Sequence, residues 1–179
     1  MSMKKDYIAP ILSLSLICLI ISGALALTNN LTEPVVANAA KQRAENTMAE
    51  IIPEADGFQP LETDGLPPTI KETYRAANGA GYIIIAAANG YGGEIKIIVG
   101  LTADGAVIQS RALEHSETKG LGSKIEDASY SSRFNGLEPG SPINADAITG
   151  ATISSNAYAK AISDALEAFM LLTEEWTFK

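Results

Sequence analysis

One cysteine and one histidine stand in 179 residues. Cys18 lies inside an apolar run, so no disulfide framework, Cys-x-x-Cys redox pair, haem-attachment site or iron–sulfur cluster can be assembled. His115 has no cysteine or second histidine near it, which leaves a zinc site without a ligand set. If this chain carries electrons, it needs an organic cofactor. Positive charge is also short: 13 basic residues face 21 acidic ones, a net charge of −8. Leaving out residues 1–27, which hold Lys4, Lys5 and Asp6, makes the remainder more acidic still. A field of that sign repels nucleic acid and anionic headgroups. The Gly-rich stretch Asn89–Gly93 lacks the Gly-Lys-Ser/Thr ending of a phosphate loop and reads as a hairpin turn. No Ser-His-Asp or paired-carboxylate arrangement and no internal repeat stands out, so an independent hydrolase is unsupported.

What is abundant is apolar: 46% of residues are hydrophobic against 19% charged, and the excess sits at the N-terminus. No charged residue occurs between Asp6 and Glu33. The run from Tyr7 to Leu27 meets the roughly 20 residues that span a bilayer. Two readings compete. Ala24-Leu25-Ala26 fits a signal-peptidase site, whereas the length of the run favours a retained anchor. Leu16 and Ile17 are too bulky for a lipoprotein site at Cys18. Lys4 and Lys5 favour a cytoplasmic N-terminus, which puts the rest of the chain on the outer face of the inner membrane. The organisation expected is a cytoplasmic segment 1–6, a transmembrane helix 7–27, a linker and helical region 28–68, and one globular domain 69–179.

Within that frame, Thr28–Pro34 reads as linker and Val36–Ile52 as a helix ended by Pro53. Residues 56–70 hold Gly57, Pro60, Pro67 and Pro68 and read as loop. Four strands follow, over 69–76, 81–88, 94–101 and 106–113. Asp104-Gly105 is a hairpin signal, and the pattern predicts an antiparallel meander. Glu114–Gly122 is a polar, Gly-rich loop, and 124–136 a short helix or irregular segment. Asn156–Leu172 carries Ala157, Ala161, Ile162, Ala165, Leu166 and Phe169 at helical spacing. Trp176 and Phe178 are placed to pin the tail to the sheet or to a partner. The fold class expected is α+β: a transmembrane helix, then a mainly antiparallel sheet packed by helices.

The most informative stretch is Asp146–Ser155, a small, hydroxyl-rich turn before the closing helix. Small residues admit a ligand to the backbone, and a helix N-terminus offers unpaired N–H groups to an anion. The bland alternative is a set of caps and turn formers, with Asp146 opening an Asx turn. However, Asp146 followed by Thr149-Gly150-Ala151-Thr152 resembles the flavinylation motif of the FMN-binding domain family. In that family the final Thr, here Thr152, is esterified to the phosphate of FMN by a separate Mg-dependent flavin transferase that uses FAD. Asp146 would then serve recognition by that enzyme, and Thr149, Gly150, Ala151 and Ser154 would complete the cofactor site.

A second motif is similar to the family's His-x-Glu-Thr-Pro-Gly-Leu-Gly: His115, Glu117, Thr118, Gly120, Leu121 and Gly122, with Lys119 in place of Pro. The resemblance implies that this loop lies beside the flavin ring. Length and a single span look most like the G-type subunits of Rnf (Rsx) ion-translocating electron-transport complexes. That would imply a relay of electrons between ferredoxin and NAD with no catalysis of its own, alongside other membrane and peripheral subunits. The C-type subunit of Na⁺-translocating NADH:quinone reductase shares the motif and anchor but is typically longer. A flavin domain serving an extracellular reductase or sensor, or a non-redox binding module, are further alternatives.

Overall fold

The structure, a computed structural model, describes residues 3–177, and side chains over residues 8–173. The pinning role read for Trp176 and Phe178 lies outside the described side chains. Two compact units divide the chain, 1–43 and 44–179.

The first unit is helical. Helix α1 (Met3–Ile51) is exposed on every side from Ile8 to Ala39. Its most apolar window has a mean hydropathy of 2.4 with none of it buried. A helix apolar all round is matched to lipid, where its backbone satisfies itself. Among the described residues it is the one helix long and apolar enough to cross a membrane. Residues 28–34 are helical, which overturns the linker read there. Two of its threonines bond backward into the helix. Thr28 Oγ1 donates to the Ala24 carbonyl and Thr32 Oγ1 to that of Thr28, each at 2.9 Å.

In the second unit, five strands form a meander in sequence order: β1 (Phe58–Leu61), β2 (Ile70–Ala76), β3 (Gly81–Asn89), β4 (Glu94–Thr102) and β5 (Val107–Glu114). All neighbours are antiparallel. The last four match the expected strands closely. β1 corrects the loop reading of 56–70: Phe58–Leu61 pairs with Thr73–Ala76. Its Pro60 sits exposed on an edge strand, where a missing N–H costs least.

The sheet is buried on both faces, which explains the unbroken run Ile83-Ile84-Ile85. Ile84 faces α3 (Thr152–Thr177) with Ile95, Ile97, Val99 and Leu101. Ile83, Ile85 and Ile98 meet Met48, Ile51 and Ile52 at the end of α1. The segment after the sheet forms a 3₁₀ turn (Gly122–Glu126), α2 (Ala128–Ser131) and a second 3₁₀ turn (Ser132–Phe134). These carry Tyr130 and Phe134 onto Tyr158 of α3, with ring centroids 5.4–5.5 Å apart. Tyr158 is fully buried, and its hydroxyl donates to Ser110 Oγ at 3.0 Å. Tyr158→Phe therefore leaves a buried Ser110 hydroxyl without this partner and should cost about 1–2 kcal/mol in urea unfolding. Adding Ser110→Ala should recover part of that loss.

Candidate functional site

Helix α3 starts at Thr152, four residues before the helix expected from the apolar stripe. The serines explain the difference. Ser155 Oγ donates to the Ala151 carbonyl at 2.9 Å and accepts the Ile148 N–H at 3.0 Å. A polar first turn is thereby held helical, with Ser154 and Ser155 buried and Thr152 and Ile153 exposed. The first intrahelical bond runs from the Ser155 N–H to the Ala151 carbonyl. The N–H groups of Thr152, Ile153 and Ser154 make no hydrogen bond among the described residues. Three free donors at the positive end of a 26-residue helix form a seat for one negative charge. Thr152 is exposed, and the residues before it, Gly150 and Ala151, are small.

Beside this helix start lies a cleft of about 560 Å³. Three segments wall it: residues 150–154, the loop residues Glu117, Thr118, Leu121 and Gly122, and Tyr91 from the β3–β4 turn. Glu117 ties the three together. Its Oε2 accepts the Ser154 hydroxyl at 2.7 Å, and its Oε1 accepts the Gly92 N–H at 3.0 Å. Two glycines make room for the carboxylate. A Cβ at Gly122 would stand 2.2 Å from Oε2, and one at Gly90 would stand 2.3 Å from Oε1. Burial alone would raise the Glu117 carboxyl. The Ser154 hydroxyl and the Gly92 and Tyr91 N–H groups outweigh it and hold the pKa below the ordinary 4.5. Ionised Glu117 therefore favours the native chain above that value, and its contribution disappears as pH falls through the folded-state pKa. Thermal stability should fall with acidification below about pH 4.5, and Glu117→Gln should flatten that part of the profile.

Eight of the residues expected at the site line this cleft: Thr152, Gly150, Ala151, Ser154, Glu117, Thr118, Leu121 and Gly122. Four do not. Asp146 and Thr149 stand exposed outside it, with the Asp146 carbonyl accepting Arg133 Nη1 at 3.2 Å. Gly120 turns the loop at φ +78, and its N–H donates to Ser123 Oγ at 2.9 Å. His115 supports the loop: its Nδ1 accepts the Glu117 N–H at 3.1 Å, and Nε2 meets Glu126 at 2.7 Å. With Nδ1 accepting, the ring proton belongs on Nε2. Lys119 is exposed and also lies outside the lining. Tyr91 and Ile153 line the cleft without having been singled out from the sequence. The signal for Tyr91 was available, as an aromatic residue set alone among three glycines at a turn.

The residues present fit a phosphate-tethered flavin: an exposed hydroxyl, free N–H groups, small neighbours and an adjoining cleft. Residues 90–167, which hold both motifs, match the FMN-binding domain family. The G-type subunit of the proton-translocating ferredoxin:NAD(+) oxidoreductase complex of Clostridium ljungdahlii is 30% identical, over 90% of each chain. The G-type subunit of the ion-translocating oxidoreductase complex of Shewanella piezotolerans is 32% identical, over 89% of this chain and 88% of its own. The chain belongs to this family, the G-type subunits of ion-translocating oxidoreductase complexes. A crystal structure of the C-type subunit of the Na(+)-translocating NADH-quinone reductase from Parabacteroides distasonis is 19% identical over 56% of this chain and 60% of its own, with a TM-score of 0.44.

Proposed function

We propose that this chain is a membrane-anchored, covalently flavinylated electron carrier of an Rnf-type complex working between ferredoxin and NAD. FMN is joined through its phosphate to Thr152 Oγ1. Thr152 carries the reading: it is an exposed hydroxyl on the first residue of a long helix, beside three unbonded N–H groups and a cleft. A phosphodiester there keeps one negative charge, which the helix end stabilises by about 0.3–1 kcal/mol. When bound, FMN would supply the electron transfer.

Glu117 is the one carboxylate lining the cleft, and its oxygens are engaged by Ser154 and Gly92. It is not free to deprotonate Thr152. The resemblance to the FMN-binding domain family supports a separate transferase as the agent: the Thr152 oxygen joins the FMN phosphorus of FAD, AMP leaves, and the hydroxyl proton passes to the transferase. Asp146, exposed six residues upstream, is placed for recognition by that enzyme. Lys4 and Lys5 ahead of the apolar run support a cytoplasmic N-terminus, with residues 44–179 on the outer face of the inner membrane.

The test is to produce the full chain with an active flavin transferase, denature it and digest it. In-gel flavin fluorescence and the FMN mass on the peptide containing Thr152 are expected. A dark band with the unmodified peptide mass would overturn the electron-carrier reading.

A further inference from the structure

Four large apolar side chains are exposed within residues 44–173: Tyr91 at 74%, Ile153 at 53%, Leu121 at 49% and Met170 at 37%. Single exposed apolar residues are ordinary on protein surfaces. These are not scattered, because the three most exposed line the same cleft as Thr152. They arrive there from three separate segments: the β3–β4 turn, the loop after β5 and the start of α3. Convergence of that kind marks a surface built to be covered by an apolar ligand.

Tyr91 is the sharpest case. The turn between β3 and β4 consists of Gly90, Tyr91, Gly92 and Gly93, so the phenol is the only side chain it presents. The backbone beneath it is fixed at two points. The Gly90 N–H donates to the Gly93 carbonyl at 2.8 Å, and the Gly92 N–H donates to Glu117 Oε1 at 3.0 Å. No ring contact within the protein occupies the Tyr91 face among the described residues. A turn whose backbone is tied at two points thus brings an aromatic ring into the lining of the cleft that also holds the Thr152 hydroxyl.

We propose that Tyr91 stacks on the isoalloxazine of FMN carried at Thr152, with Leu121 and Ile153 closing the apolar sides of the seat. This rests on the Thr152 attachment argued above. Offset stacking of two planar rings satisfies both quadrupoles and removes apolar surface from water. It also has an optical consequence. A phenol in contact with a photoexcited flavin ring gives up one electron and takes it back. The emission is lost and both partners return unchanged.

The experiment uses the full chain, flavinylated in cells and solubilised in detergent, with FMN on the Thr152 peptide confirmed by mass for each variant. Emission per flavin is compared before and after proteolytic digestion. For wild type the native emission should be several-fold weaker than that of the digest. Tyr91→Leu should raise the native emission several-fold toward the digest value, while Tyr91→Trp should stay dark. Because the side chain is mostly exposed when no flavin is bound, both variants made without flavin should melt with wild type. Equal native emission of wild type and Tyr91→Leu at equal loading would overturn the stacking and leave the attachment intact. A wild-type Thr152 peptide without the FMN mass would overturn the attachment and the stacking together.

Discussion

Thr152→Ala should give a chain that folds as wild type does and carries no flavin through denaturation. The two halves of that expectation have separate causes. Thr152 is exposed and its side chain bonds to nothing among the described residues, so the substitution should change stability by less than about 0.5 kcal/mol. The oxygen that would hold the phosphorus is gone, however, and the loss of covalent FMN should be complete. Thr152→Ser restores a hydroxyl at the same helix position and should restore fluorescence in the gel band. Retention of the FMN mass in Thr152→Ala would move the linkage to another hydroxyl, with Ser154, Ser155 and Thr149 the nearest in sequence. Ser154 is already committed to Glu117 and Ser155 to the Ala151 carbonyl, so Thr149 would be the first position to test.

The second large effect should come from Gly122→Ala. The added Cβ would lie 2.2 Å from Glu117 Oε2, 2.9 Å from Glu117 Cβ and 2.9 Å from Ser154 Oγ. Backing away would pull a buried carboxylate off the Ser154 hydroxyl and the Gly92 N–H. Overpacking and the loss of charge-assisted hydrogen bonds together should cost about 2–4 kcal/mol in urea unfolding of the full chain in detergent. The three cleft walls would also lose their shared tie, so flavinylation should fall. Glu117→Ala in the same chain removes the group that is struck, and the double variant should be well short of additive. Strict additivity would place the damage elsewhere than in the Glu117 socket.

Much of this architecture was legible because each element carries its own period. The alternation through Ile95, Ile97, Val99 and Leu101 and the spacing of Ala157, Ala161, Ile162 and Ala165 point to the face that is buried. The continuous isoleucines of β3 foretold burial but not its second partner, since nothing local says that Met48, Ile51 and Ile52 return to the sheet. Two departures fell where polar side chains satisfied the backbone in an unexpected direction, and a third where Gly57 and Pro60 masked the edge strand β1. Thr28 and Thr32 bond back into a helix rather than breaking it, and Ser155 starts α3 early. At the site, the two motifs led to eight lining residues. Tyr91 was missed because a Gly-rich turn is a sufficient explanation of itself. The support role of His115 depends on Glu126, eleven residues away, and no short motif records it.

The rim of the cleft, where Tyr91, Ile153 and Leu121 are exposed, has a meaning in terms of mass action. A site that must recruit a cofactor from solution needs depth, because affinity is drawn from enclosed contact against the entropy of capture. A cofactor bonded to Thr152 has no dissociation equilibrium, and its local concentration is set by the length of the link. The protein is then relieved of supplying affinity, and the site can stay shallow. Shallowness is useful to a carrier, since electrons pass only where a second redox centre comes close. If FMN is held on Thr152 as proposed, a site that need not enclose its cofactor would leave part of the ring within reach of a second redox centre.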